Sequence, residues 1–202
     1  MKAHTTAADG EIWIDLHTPL RNYGHFRLGL RGTHQVPNAL VAVRLLEELP
    51  QFGPLPMDAV LTGLTSVRWP GRLEMITTAQ GRRVLLDAAH NPAGAASLAS
   101  YLRSELKEPV PLVFAAMRDK NAAEMLRILV PAVSNVIVTQ PAISRAMPAR
   151  ELAELARSLF PSAGIEVMSH VNVSFAFVRL IRLPAPCDAE FSEFRPPFPR
   201  TM

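Results

Sequence analysis

The sequence predicts an α/β fold with a mostly parallel sheet and helices on both faces, and three observations carry that expectation. From residue 84 onward, short apolar runs of strand length alternate with segments of helical period. Turn and cap residues fall between them at regular intervals. The first run, Val84-Leu85-Leu86, is continuously apolar, as a strand buried on both faces should be.

Residues 11–30 alternate loosely between apolar and polar and are broken by Pro19 and Gly24, which reads as short strands joined by turns. The period then changes. Val36, Leu40, Val43, Leu46 and Leu49 recur at three and four, with Arg44, Glu47 and Glu48 between them, the pattern of an amphipathic helix over 36–49. Met57, Val60, Leu61 and Leu64 predict a second helix over 57–66, entered after Pro56. The break Arg68-Trp69-Pro70-Gly71 is a hinge candidate between two domains.

Beyond the first buried strand, Asn91 is placed to cap a helix and Pro92 to open it, with Ala95, Leu98, Ala99, Leu102 and Leu106 on its apolar face. A strand follows at 110–116. Asn121 and Glu124 form a capping-box-like entry to a helix carrying Met125, Leu126 and Leu129. A strand at 135–139, a helix from about Pro148 with Leu152, Leu155 and Leu159 on one face, and a strand at 165–168 complete the pattern. Five prolines run from Pro184 to Pro199, and residues 171–202 are expected to be irregular and to add no strand to the sheet.

Composition excludes several classes. The chain has 202 residues, 49% of them hydrophobic, enough for a real core. Its net charge of +3 comes mostly from scattered arginines interleaved with carboxylates, not from the basic stripe with aromatics that nucleic acid requires. No apolar run spans a bilayer and the first residues carry no hydrophobic signal region, so neither a membrane nor secretion is indicated and a cytoplasmic location is expected. One cysteine, Cys187, allows no internal disulfide framework. There is no His-Glu-x-x-His, Cys/His cluster or Gly-x-Ser-x-Gly, which sets aside metallohydrolases and serine hydrolases.

In open α/β sheets, ligands bind where strands end and helices begin. The first such loop is LLDAAHNPAGA, with Asp87 closing the strand and His90 at the mouth of the next helix. A carboxylate there accepts hydrogen bonds from both hydroxyls of a ribose, and a helix N-terminus favours an anion. The same spacing also fits a simple capping loop. A dinucleotide fold would need Gly-x-Gly-x-x-Gly here, and only Gly94 is present.

Five stretches together resemble a known family. PGRLE at 70–74 with LLDAAHNPAGAASLASYL at 85–102 is similar to the C-terminal domain of folylpolyglutamate synthase/dihydrofolate synthase, within the Mur ligase superfamily. LGLRGTHQVPNALVAVRLLEEL at 28–49 resembles the end of that family's central domain. FAAMRDKNAAEMLRILVP at 114–131 and TQPAISRAMPARELAELA at 139–156 follow in the family's order. The resemblance implies a three-layer, Rossmann-like C-terminal domain at 69–170, a remnant of the central ATPase domain at 1–68, and a tail at 171–202 that departs from the family. A reading-frame shift near residue 171 would produce such a tail, and translating the neighbouring frames tests it.

The resemblance also implies the chemistry. ATP with Mg2+ phosphorylates a carboxylate of folate or dihydropteroate, and the amine of L-glutamate attacks the acyl phosphate. Asn38, Arg72 and Asp87 would bind ATP, with Asp87 on the ribose, and His90 would stand near the glutamate. From position alone, Arg145 in the loop after the third strand also lies at a carboxyl edge, where it would meet an anionic substrate, glutamate here. Asp119 and Lys120 would stand at the rim of the site. No lysine follows a glycine, so the phosphate-cradling Gly-x-x-x-x-Gly-Lys-Ser/Thr is absent from this sequence. The P-loop and the magnesium ligands are therefore expected in a separate stretch of polypeptide, in a parent enzyme that is a monomer, and the chain alone is expected to be inactive. Two rivals remain. One is a peptidoglycan-precursor Mur ligase fragment. The other is a non-catalytic remnant or subunit that binds nucleotide or a partner chain.

Overall fold

The computed structural model describes residues 2–8, 11–49, 53, 55–78, 81–168 and 178–181, with 2–8 and 178–181 described by their backbone. The chain divides into two compact units, Met1–Glu74 and Met75–Met202.

The first unit holds an antiparallel sheet in the order β1 (Lys2–Ala8), β2 (Glu11–His17), β3 (Asn22–Leu28). Strict alternation in β2 sends Ile12, Ile14 and Leu16 to one face, where all are buried. Trp13 goes to the other and stacks on His25 across the pair, with ring centroids 5.4 Å apart. Two helices cover the Ile face: α1 (Gln35–Glu48) through Val36, Ala39 and Val43, and α2 (Met57–Ser66) through Val60. Both helices match the expected spans. Strand β1 was not expected, because KAHTTAA has no large apolar alternation to betray it.

Helix α1 departs from the expected polarity. Glu47, read as a residue of the wet face, is turned inward with its side chain 5% exposed. Thr18 Oγ1 (2.7 Å) and Tyr23 OH (3.0 Å) donate to its Oε1, and Arg44 donates to Oε2 at 2.6 Å. These bonds hold its carboxyl below the ordinary carboxylate range against burial, which pushes it up. Burial and Glu47 in turn push the Tyr23 phenol up.

The second unit carries a sheet in the order β4 (Glu74–Thr77), β5 (Arg83–Asp87), β9 (Val178–Ile181), β6 (Leu112–Phe114), β7 (Val136–Thr139), β8 (Ile165–Met168). Strands β6, β7 and β8 pair parallel. Since β9 is antiparallel to both β5 and β6, β5 runs with them, and β9 is the exception in a mostly parallel arrangement. The connecting helices are α3 (Pro92–Glu105), α4 (Ala122–Leu129) and α5 (Ala149–Leu159). Each crossover advances the same way across the sheet, so right-handed connections put the three helices on one face, α3 against α4 and α4 against α5. Leu98, Leu126 and Leu152 are sealed there at 1% exposure or less, each contributing about 1.5–3 kcal/mol. On the opposite face Val84, Leu86, Val113 and Ile137 form a second buried cluster. Among the described residues, the three α-helices of this unit all lie on the other face.

One expectation is corrected. Nothing after residue 170 was expected to add a strand, yet β9 fills a central position between β5 and β6. Four residues with a bonding neighbour on each side suffice for a strand, and every proline of the run begins after Ile181, where it removes no ladder donor. The remainder of the expected irregular tail, with Cys187, lies outside the described residues. Strand β4 also went unforeseen.

Candidate functional site at the strand ends

The loop after β5 is built by local hydrogen bonds. Asp87, 6% exposed, closes the strand at its carboxyl end, and its Oδ1 accepts the Ala89 N–H at 2.8 Å. Asn91 caps α3, its Oδ1 accepting the Gly94 N–H at 2.8 Å, with Pro92 in the first turn. Gly94 sits close to the loop: an added Cβ would stand 3.3 Å from Ala89 Cα. His90 is exposed, and its Nδ1 lies 3.1 Å from the Ala88 carbonyl oxygen. A carbonyl only accepts, so Nδ1 carries the proton in that bond.

The loops after β6 and β7 are stitched together. Arg118 N donates to Arg145 O (3.0 Å), Met147 N donates to Ala116 O (2.9 Å), and Met117 bridges Ala146. This brings the exposed Arg145 near Asp119, which also pairs with Lys120 at 2.9 Å. The Lys120 hydrogen bond, aided by the charges of Lys120 and Arg145, holds the Asp119 carboxyl below its usual range. Sequence reading missed Thr139 at the end of β7: it is 3% exposed and its hydroxyl has no hydrogen-bond partner among the described residues. A lone threonine closing an apolar strand gives no sequence signal.

Asn38 and Arg72 belong to the first unit. Trp69-Pro70-Gly71-Arg72 is a turn with Arg72 N donating to Trp69 O at 3.1 Å, and Gly71 at φ 71 occupies the position that a type II turn reserves for glycine. Leu73 follows in the left-handed region, φ 46, 1% exposed. Its side chain reaches the entrance of α1: a Cβ on Gly32 would fall 2.6 Å from both Leu73 Cδ1 and His34 Cε1. At that entrance Asn38 Nδ2 donates to Gln35 Oε1 (3.0 Å), and Gln35 Nε2 lies 3.0 Å from His34 Nε2. The relay orients the exposed Asn38 amide. Arg72, half-buried, is one residue from Leu73 and so close to the same entrance. A cleft of about 350 Å3 in this unit, beside Arg21, Tyr23 and Glu47, contains none of the expected site residues.

Residues 71–183 match the Mur ligase glutamate ligase domain. The chain belongs to the Mur ligase family. The match takes in every strand from β4 to β9. Among curated Mur ligase relatives, the dihydrofolate synthase/folylpolyglutamate synthase of Mycobacterium tuberculosis is 37% identical over 142 residues, 68% of this chain and 29% of that protein. Among solved structures, M. tuberculosis folylpolyglutamate synthase complexed with ADP superposes with a TM-score of 0.72 at 34% identity, over 82% of this chain and 37% of that one. Folylpolyglutamate synthase from Thermotoga maritima superposes at 0.65 with 32% identity, over 79% of this chain and 37% of that one. The chain thus spans about a third of the length of these three relatives.

Among the described residues no group of three His, Cys, Asp or Glu side chains could hold a metal ion, and no helix is long and apolar enough to cross a membrane.

Proposed function

We propose that the chain is the C-terminal portion of an ATP-dependent ligase that adds L-glutamate to folate, with dihydropteroate as a second acceptor. The observation that carries this reading is the position of Asp87, buried at the carboxyl end of β5, with one carboxylate oxygen engaged by Ala89 at the mouth of α3. That bond fixes the carboxyl group, which suits it to accept the hydroxyls of a ribose. The ADP complex of the similar M. tuberculosis synthase supports nucleotide as the ligand.

In this reading the γ-phosphoryl group of ATP passes to the acceptor carboxylate and ADP leaves. The glutamate amine then attacks the acyl carbon, inorganic phosphate departs, and the amine loses its proton as the amide forms. Asn38 offers its amide to the adenine, Arg72 its charge to the nucleotide, and Asp87 holds the ribose. His90 would stand near the incoming glutamate, and Arg145 would meet a glutamate carboxylate. The described residues do not fit a magnesium site, so no step here runs through the ion.

With no glycine-rich loop ending in lysine, this chain by itself lacks the phosphate grip, and the isolated chain forms no amide bond. That absence also favours a second reading, a subunit that binds nucleotide without chemistry. Calorimetric titration with ADP tests the common ground: the chain binds ADP, and Asp87→Ala and Arg72→Ala each weaken binding at least tenfold. Absent binding, or binding unmoved by both substitutions, overturns the nucleotide role. ATP- and glutamate-dependent amide formation by the purified chain alone overturns the inactivity.

A further inference from the structure

We propose that His4, Asp15 and His25, which form one row across β1, β2 and β3, are a site for a divalent transition-metal ion such as Zn2+. The register sets the row: His4 pairs with Asp15, and Asp15 pairs with His25. Residues directly opposite in an antiparallel pair share a face at a separation of about 4.5–5.5 Å. The three therefore stand on the side of the sheet away from the buried Ile12, Ile14 and Leu16. The short acidic residue is in the middle and the two long imidazole residues flank it, which suits one ion held over the middle strand.

Two of the three side chains already have the spacing of metal donors. His25 Nδ1 stands 3.4 Å from Asp15 Oδ2. That is longer than a good N–H···O hydrogen bond, about 2.7–3.2 Å. It is close to the roughly 3.3 Å between two donors of a tetrahedral shell whose bonds are about 2.0–2.1 Å. Trp13 stacks on the His25 ring with centroids 5.4 Å apart and so fixes its orientation. Both side chains are open to solvent, 54% exposed for His25 and 40% for Asp15, which leaves an ion a way in. The third member comes from β1, whose backbone register places His4 opposite Asp15.

The edge strand supplies an independent reason. The face of β1 turned toward the core carries only Ala3, Thr5 and Ala7, opposite Leu16, Ile14 and Ile12, so apolar burial ties this strand weakly. An ion shared across the row would fasten β1 to β3 over the middle strand. Two imidazoles with one carboxylate form a nitrogen-rich set that selects zinc, nickel or copper, whereas magnesium takes an oxygen shell. The ion is therefore a different one from that expected with ATP.

The test titrates the untagged full chain with Zn2+ in a calorimeter and follows amide hydrogen exchange along the first unit. One ion is expected to bind per chain. His4→Gln, Asp15→Asn and His25→Gln each weaken that binding at least tenfold, while His90→Gln, at an exposed histidine of the second unit, leaves it intact. In the unaltered chain Zn2+ slows exchange of the β1 and β3 amides, a readout that needs no variant and so stands even where one misfolds. No saturable binding, binding indifferent to His4→Gln, binding lost with His90→Gln, or added protection that falls outside β1 to β3 each overturns the site. Neither measurement involves nucleotide or glutamate, so its outcome is independent of the ligase reading.

Discussion

Helices α1 and α5 each cover one face of a sheet, yet they treat water in opposite ways. Helix α5 buries Leu152, Ala153 and Ala156 and turns Glu151, Glu154, Arg157 and Ser158 outward, the arrangement of an element that meets only one neighbour. Helix α1 buries Val36, Ala39 and Val43, satisfies Glu47 inside, and leaves Val41 and Leu45 wet. The inner face of a helix locates the core. The outer face shows how a helix meets water: α5 presents charge there, and α1 presents branched apolar groups.

The largest way to break this comparison is at α5. Leu152 is wholly buried, and Leu152→Ala should cost about 3 kcal/mol in urea unfolding; a loss under about 1 kcal/mol would mean that the helix is loosely seated. Next is the inner charge of α1. Glu47→Gln weakens three hydrogen bonds to a charged group and should cost about 2 kcal/mol at neutral pH. Because the folded carboxyl is held below its ordinary value, its contribution is fully present above the unfolded glutamate range and is lost as the pH falls through the folded value. The wild-type chain should therefore lose stability in acid more steeply than Glu47→Gln, as melting curves from neutral pH down to pH about 3 would show.

A smaller effect of opposite sign is expected at Thr139, whose buried hydroxyl lacks a partner among the described residues. Thr139→Val should raise stability by about 1 kcal/mol, and a loss would mean that the hydroxyl has a partner in solution. Smallest of all, Val41→Ser with Leu45→Ser should change the stability of the isolated chain by less than about 0.5 kcal/mol, since those side chains already face water. A cost well above that would show these side chains packed in solution.

Where periodicity and caps spoke together, the sequence placed elements closely. Asn91 with Pro92, and Asn121 with Glu124, set the starts of α3 and α4, and both asparagines accept the expected backbone N–H groups. Strands β5, β7 and β8 were marked by short apolar runs. The losses have a common cause: β1, β4 and β9 are strands whose identity comes from their partners and not from their own side-chain pattern. The inversion of α1 was equally hidden, since spacing shows which residues share a face and not which face finds water. Of the site, the Asp87–Asn91 loop was legible because its bonds are local. Thr139 and the coupling of Leu73 to the entrance of α1 were not, because both arise only when distant segments meet.

The place of β9 sets the order in which the second unit can be assembled. Strands β5 and β6, neighbours along the chain, cannot zip directly, because the slot between them waits for residues that leave the ribosome after β8. Closure of that gap pairs Asp87 with Val178, a long loop to shut before any reward is collected, so maturation of this half is slow and falls after synthesis of the strands it joins. Until then the two inner edges stand open, and a nascent chain stalled before β9 would offer both to any passing strand.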